Sequence, residues 1–223
     1  MRCVIFDLDG TLADTSADLI AAANAAIAEL GAGAALDPVA DAATAFAGGR
    51  AMLRLSGERA GIGNDRLAGM VERGYPILLE EYARAIDRHT VLYPGAMEAV
   101  DNLRSSGIAV GICTNKPEAL AEDLLWKLGV RSAFASLIGA DTLPTRKPDP
   151  APLFAAIDRA GGDRRRACLI GDTVTDRETA RAAGVPSVLV TFGPGGQTVA
   201  DLQPEALLDR YDGLPALIDR LLV

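Results

Sequence analysis

The stretch MRCVIFDLDGTLADT, residues 1–15, decides which fold this chain adopts. Its apolar run, Arg2–Phe6 (RCVIF), has the length of a strand and lacks a polar alternate face, as central strands of a parallel sheet do. Asp7 follows the run directly, and Asp9 comes two residues later. Because buried carboxylates are costly without a partner, the end of this strand is the first candidate for a site.

Four further apolar runs of strand length follow along the chain. They are Ile108–Cys113, Ser136–Ile138, Ala167–Ile170 and Ser187–Thr191. Helical patterns lie between them, with Pro in the first turn and Gly after the end, over Gly95–Ser106, Pro117–Leu128, Pro150–Ala160 and Asp176–Ala183. This alternation predicts an α/β domain built on a doubly wound, mainly parallel sheet.

One segment, residues 16–88, interrupts the alternation. It contains no strand-like run, and its Ala-rich and Leu-containing helical patterns are separated by glycines. The segment predicts a small all-α domain inserted after the first strand. The α/β core domain then consists of residues 1–15 and 89–223.

The composition is that of a folded globular protein and argues against some binding partners. The chain has 223 residues, of which 49% are hydrophobic and 23% charged, and its formal net charge of -8 argues against nucleic-acid binding. Three cysteines, an odd number, lie in or beside apolar runs and are expected to be buried thiols in a reducing compartment. No signal peptide or membrane-length apolar run is evident, so we expect a cytoplasmic protein without a membrane partner.

Acidic residues also follow the fourth run, where Asp172 stands at the strand end and Asp176 lies one helical turn later. Parallel α/β sheets bind ligands at the carboxyl ends of their strands, so these acids are expected to meet Asp7 and Asp9. Two carboxylates about 4 Å apart repel by roughly 4 kcal/mol, and such a group needs a cation. Oxygen ligands favour Mg²⁺, since the only histidine, His89, falls in a predicted linker. Taken singly, each Asp is equally typical of a helix cap or a turn.

Donor groups complete the candidate site. Thr114 and Asn115 follow the second strand, ahead of a helix whose N-terminus favours anions, and Lys147 lies in a proline-stiffened loop before another helix. Alone, Thr-Asn is a capping signal and Lys-Pro a loop with a solvated lysine. Their positions in the chain, after predicted strands and before helices, favour a functional role over these structural ones.

Four motifs together resemble those of the haloacid dehalogenase superfamily of phosphohydrolases. They are DLDGTLADT at 7–15, CTNK at 113–116, KPDP at 147–150 and GDTVTD at 171–176, in the order that family has them. The resemblance covers the whole predicted core. It implies a Mg²⁺-dependent phosphatase that acts on small phosphorylated metabolites.

The resemblance also implies roles for the acids. Asp7 matches the nucleophile that forms an aspartyl-phosphate, and Asp9 matches the acid/base that protonates the leaving alcohol and activates water. Mg²⁺ is expected on the side chains of Asp7 and Asp172 and on the backbone carbonyl of Asp9. Asp176 matches a supporting acid behind these ligands.

The phosphate-binding residues that the resemblance implies are Thr114 and Lys147, with Asn115 adding donors. The second acid, Asp9, favours phosphoryl transfer, because a dehalogenase need not protonate its halide. Residues 16–88 resemble the helical cap of the phosphoglycolate phosphatase-like branch, with 2-phosphoglycolate the leading substrate. Within that cap, Arg50 is either a partner for a substrate carboxylate or a solvated arginine at a helix start.

Two alternatives remain at this point. A phosphomutase of the β-phosphoglucomutase type shares the four motifs and the helical cap. A phosphorylatable receiver module, from a different class, also combines an acidic pocket with Thr and Lys, although its strand order differs. The sequence leaves open whether the protein is a monomer or a homodimer, and the spacing of Trp126 predicts packing rather than substrate stacking.

Overall fold

The computed structural model describes residues 1–222. The chain forms two compact units, one made of residues 1–14 and of residue 92 onward, the other of residues 15–91. Each unit is described by itself below.

The strands include the five that the apolar runs predicted and three others. They are β1 (Cys3–Phe6), β2 (Ala13–Asp14), β3 (Val91–Leu92), β4 (Ala109–Cys113), β5 (Ser136–Ile138), β6 (Ala167–Gly171), β7 (Ser187–Val190) and β8 (Ala206–Leu208). The helices are α1 (Ser16–Leu30), α2 (Ala42–Phe46), α3 (Gly49–Arg59), α4 (Asn64–Arg84), α5 (Ala96–Ser105), α6 (Glu118–Lys127), α7 (Ala151–Arg159), α8 (Val174–Ala183) and α9 (Leu214–Leu221).

The first unit is built on a six-stranded sheet in the order β5-β4-β1-β6-β7-β8, and every neighbouring pair is parallel. In β1, Ile5 lies opposite Gly111 on one side and Leu169 on the other, so β1 is a central strand. The doubly wound parallel sheet predicted from the sequence is confirmed, and the predicted strand and helix ends lie within two residues of those observed. The sequence did not predict β2 and β3, which have two residues each, or β8, of which only the last residue is buried.

The five predicted strands are buried on both faces, which explains why they appear in the sequence as continuous apolar runs. On one face, side chains from β1, β4, β5 and β6 pack with Leu153, Ala156 and Ile157 of α7. The three cysteines are buried thiols, as expected. Polar residues follow directly after β1, β4 and β6, at the ends of these buried strands.

The second unit contains four helices, α1 to α4, and α1 packs against α4 and α3. Its interior is apolar and includes Leu53, Leu67, Leu78 and Tyr82. The carboxylate of Asp18 in α1 accepts hydrogen bonds from the backbone N–H groups of His89 and Thr90, which ties the end of the unit to its beginning. Among residues 1–222, no helix is both long and apolar enough to cross a membrane.

Candidate active site

Three adjacent strands bring the predicted residues to one edge of the sheet. Asp7 follows β1, Thr114 follows β4 and Asp172 follows β6, and β1 lies between the other two strands. The backbone N–H of Asp7 still donates to the carbonyl of Ile170 at 2.8 Å, so the strand pairing holds up to the nucleophile candidate. The carboxyl ends of these parallel strands therefore define the site.

Three buried carboxylates meet there. One oxygen each from Asp7, Asp172 and Asp176 lie within 4.8 Å of one another. Such like charges are unfavourable without a cation. The three candidate ligands are carboxylate oxygens, which suit a hard cation rather than zinc. The residues present therefore fit a hard divalent cation.

The protonation of this cluster reflects its burial. Burial raises the pKa of Asp7 to about 6; Lys147 opposes that rise, while the negative charges of Asp176 and Asp9 add to it. Burial, followed by the charges of Asp176 and Asp7, also raises the pKa of Asp172 well above its usual value. The cluster is thus a site that gains from a cation.

Lys147 faces the cluster from the loop between β5 and α7. Its Nζ lies 3.1 Å from Oδ2 of Asp7 and 2.6 Å from Oδ1 of Asp176, and its side chain is only 2% exposed. Burial alone would lower the pKa of Lys147, but the two carboxylates raise it above its usual value. The amide of Asn115 donates to the backbone carbonyl of Lys147 at 3.0 Å, which links this loop to the end of β4. The Lys147–Pro148 peptide is cis.

Asp176 has a structural reason for its position. It is the third residue of α8, where it forms a capping box with Thr173. Its Oδ2 accepts hydrogen bonds from the backbone N–H groups of Asp172 and Thr173, while its Oδ1 accepts from Lys147. Asp176 therefore contacts both Asp172 and Lys147 from the first turn of α8.

The turn after β1 is shaped around Asp172. Gly10 has a φ of +79°, and a Cβ at this position would lie 2.3 Å from Oδ2 of Asp172. The hydroxyl of Thr11 donates to Oδ1 of Asp172 at 2.9 Å. The backbone carbonyl of Thr11 accepts a hydrogen bond from the Tyr211 hydroxyl at 2.8 Å. A glycine is required here because the acid of another strand occupies the space that a side chain would fill.

Asp9 is not one of the three acids within 4.8 Å of one another, and it pairs with Lys116. No role for Lys116 was predicted from the sequence. Nζ of Lys116 lies 2.7 Å from Oδ1 and 3.0 Å from Oδ2 of Asp9. The Lys116 side chain is 3% exposed and that of Asp9 17% exposed. Lysine is rare in this chain, with three among the 22 Lys and Arg residues, and two of the three, Lys116 and Lys147, lie beside the predicted acids.

The other predicted residues are placed as follows. Thr114 is buried at the end of β4, where its hydroxyl accepts a hydrogen bond from the backbone N–H of Lys116 at 3.2 Å. Arg50, in the second unit, pairs with Glu72 and stacks over the ring of Tyr75 at 4.3 Å from its centroid. The structure thus brings Thr114 and Asn115 to the strand ends and gives Arg50 partners inside its own unit.

Comparisons with known proteins agree with the geometry. The family model of haloacid dehalogenase-like hydrolases matches residues 4–190. The chain is 37% identical to a phosphoglycolate phosphatase of Agrobacterium fabrum, over 97% of this chain and 92% of that protein. It is also 37% identical to a phosphoglycolate phosphatase of Cereibacter sphaeroides, over the full length of both.

Solved structures show the same fold. The crystal structure of a predicted phosphoglycolate phosphatase from Haemophilus somnus superposes with a TM-score of 0.83 at 22% identity, covering 97% of each chain. A HAD-superfamily hydrolase of subfamily IA from Geobacter sulfurreducens gives a TM-score of 0.71 at 22% identity, covering 98% of this chain and 96% of that one. The fold, the strand-end acids and the match over most of the sequence lead to one conclusion: the chain belongs to the haloacid dehalogenase-like hydrolase family.

Proposed function

We propose that this hydrolase is a Mg²⁺-dependent phosphatase that cleaves small phosphomonoesters, with 2-phosphoglycolate as its substrate. The observation that carries the proposal is the meeting of Asp7, Asp172 and Asp176 within 4.8 Å, with the ammonium of Lys147 beside them. The substrate rests on the phosphoglycolate phosphatases that share 37% identity with the chain. Residues 1–14 and 92 onward then act as the catalytic core and residues 15–91 as a cap.

The nucleophile in this proposal is Asp7. Its Oδ1 accepts a hydrogen bond from the backbone N–H of Leu8 at 2.7 Å, which fixes the carboxylate, and its Oδ2 lies beside Lys147. Attack of a carboxylate oxygen on phosphorus forms an aspartyl-phosphate and breaks the bond to the leaving oxygen. Lys147 offsets the repulsion between the carboxylate and the phosphate dianion.

The acid/base in this proposal is Asp9. It gives a proton to the leaving oxygen, and it later takes a proton from the water that attacks the aspartyl-phosphate. The side chain of Asp9 is 17% exposed, so a substrate can reach it, whereas that of Asp176 is fully buried. Thr114 and Asn115 are proposed to bind the phosphoryl oxygens from the end of β4.

Asp7 and Asp172 would hold Mg²⁺, together with the backbone carbonyl of Asp9. When bound, the ion supplies positive charge that lowers the pKa values of these acids and stabilises the phosphoryl oxygens. Asp176 keeps Asp172 and Lys147 in position around it.

Phosphate release tests the proposal. The wild-type protein with Mg²⁺ should release stoichiometric phosphate from 2-phosphoglycolate and from p-nitrophenyl phosphate over many turnovers. The variant Asp7→Asn should release none. A protein that is phosphorylated once without turnover would be a receiver, and one that releases phosphate only slowly while isomerising a sugar phosphate would be a mutase; either result would reject the proposal.

A further inference from the structure

Selection of 2-phosphoglycolate over uncharged phosphate esters requires a cation that recognises the carboxylate on the leaving group. Because the leaving oxygen receives its proton from Asp9 in the proposed reaction, the recognising cation must lie near Asp9. Three cations are candidates for this role. Two lie beside the acids of the site, Lys147 and Lys116, and the third, Arg50, was predicted from the sequence. Their contacts in the structure distinguish them.

Two of these cations have other roles. The guanidinium of Arg50 contacts Glu72 and Tyr75 of its own unit, whereas the recognising cation must lie near Asp9. The ammonium of Lys147 contacts Asp7, so it lies on the side of the nucleophile. In the proposed in-line displacement, the nucleophile and the leaving group lie on opposite sides of phosphorus. Lys147 is therefore assigned to the phosphoryl group.

Lys116 has the position that leaving-group recognition requires. Its Nζ lies 2.7 Å from Oδ1 of Asp9. In the proposed reaction Asp9 also forms a hydrogen bond with the leaving oxygen. Two hydrogen bonds in sequence, from Lys116 to Asp9 and from Asp9 to this oxygen, place the ammonium within about 6 Å of it. In glycolate the carboxylate is attached to the carbon next to this oxygen, and it extends across such a gap.

The environment of Lys116 strengthens an interaction with an anion. Its side chain is 3% exposed, so the ammonium is shielded from water and its attraction to a carboxylate is stronger than at a protein surface. The residue lies two positions before α6, and its backbone N–H donates a hydrogen bond to the hydroxyl of Thr114. The loop that is proposed to bind phosphate therefore also carries this ammonium.

We propose that Lys116 determines specificity by binding the carboxylate of a short carboxylated leaving group while it remains beside Asp9. The inference rests on the proposed function and adds the group that selects the substrate. It places part of the substrate selection in the α/β unit rather than in the helical unit alone.

The test compares two phosphate esters of the same length. One is 2-phosphoglycolate, and the other is 2-hydroxyethyl phosphate, in which a hydroxymethyl group replaces the carboxylate. In Lys116→Met both esters should be hydrolysed more slowly, because Asp9 loses its partner. The ratio of kcat/KM for 2-phosphoglycolate to that for 2-hydroxyethyl phosphate should also fall, by about ten- to hundredfold, because a charge-assisted hydrogen bond is lost.

This ratio does not depend on the fraction of folded enzyme, because both esters are assayed on the same preparation. The matched control is Lys127→Met, which changes an exposed lysine of α6 that pairs with Asp123 and should leave the ratio unchanged. Lys116→Arg keeps the charge and should retain more of the ratio than Lys116→Met does.

The outcomes separate this inference from the proposed function. If the wild-type protein releases phosphate from neither ester, the proposed function fails. If it hydrolyses both but with a ratio near one, or if Lys116→Met slows both by the same factor, only the inference about Lys116 is overturned. A ratio that falls selectively in Lys116→Met supports it.

Discussion

Nζ of Lys147 lies 3.1 Å from Oδ2 of Asp7, and the same ammonium lies 2.6 Å from Oδ1 of Asp176. One buried cation thus serves two carboxylates, while Asp172 adds a third within 4.8 Å. The pKa of Asp7 stays raised, at about 6, because burial and the neighbouring acids outweigh the effect of Lys147. Three buried acids beside one ammonium form a cluster that binds protons more tightly than free aspartates do and that fits a further cation.

Replacing Lys147 with Met should lower the rate of phosphate release by about a hundred- to thousandfold, because the charge beside the phosphoryl group is lost. It should also lower the free energy of unfolding in EDTA at pH 8 by about 3 to 5 kcal/mol, since buried carboxylates lose their partner. Urea unfolding and a phosphate-release assay measure the two effects. Lys127→Met, at an exposed position, is the control and should change neither.

Asp7→Asn should abolish turnover and yet stabilise the metal-free protein. The pKa of Asp7 is about 6 in the folded protein, whereas the ordinary value for an aspartate is 3.8, so the folded form binds the proton more tightly than the unfolded chain does. Its ionisation therefore costs stability as the pH rises from about 4 to above 6, by about 3 kcal/mol in total. In EDTA the Asn variant should have the higher Tm at pH 8, and this advantage should disappear near pH 4. A lower Tm at pH 8 would contradict the assigned direction.

Mg²⁺ should stabilise the protein more at pH 8 than at pH 5. Protons compete with the cation for Asp7, whose pKa is raised to about 6 by burial, and for Asp172, whose pKa is raised in the same direction. At pH 5 the proton on Asp7 alone should weaken metal binding by about tenfold. The increase in Tm on adding Mg²⁺, measured across this pH range, checks the prediction, and an increase independent of pH would be evidence against ligation by these acids.

Thr11→Val should weaken Mg²⁺ binding, because the hydroxyl that donates to Oδ1 of Asp172 at 2.9 Å is removed while the shape of the side chain is kept. Loss of a group that orients a metal ligand typically reduces metal affinity by about 10- to 100-fold. Isothermal titration with Mg²⁺ measures this directly. Thr11→Ser keeps the hydroxyl and should bind Mg²⁺ nearly as well as the wild type; equal affinity of the Val and wild-type proteins would refute the role of the hydroxyl.

Gly10→Ala should destabilise the fold more than Gly107→Ala does. Both glycines have positive φ, +79° and +70°, so an alanine at either position costs about 1 to 2 kcal/mol of backbone strain. At Gly107 nothing lies within 4 Å of a Cβ, whereas at Gly10 the Cβ would lie 2.3 Å from Oδ2 of Asp172. The difference in Tm between the two variants measures the close approach of the turn to the acid. Similar Tm values would mean that Asp172 moves aside without cost.

The amino-acid sequence was sufficient to predict the fold and the order of the motifs. Apolar runs such as Cys3–Phe6 are buried on both faces, and this pattern is visible in the sequence because parallel strands tolerate no polar face. The position of Asp7 and Asp172 at one sheet edge follows from the same rule, because strand ends in a parallel sheet share an edge. The apolar runs around the cysteines also indicated that these thiols are buried.

Only the tertiary structure decided which charges pair. Lys116 and Asp9 are separated by 107 positions, and no periodicity relates them, so their contact depends on the alignment of β1 with β4. Trp126 shows the same limit: its helical spacing predicted packing, but it is 67% exposed. Helical spacing shows which residues share one face of a helix. Whether that face is buried depends on residues from distant parts of the chain, which come into contact with it only in the folded protein.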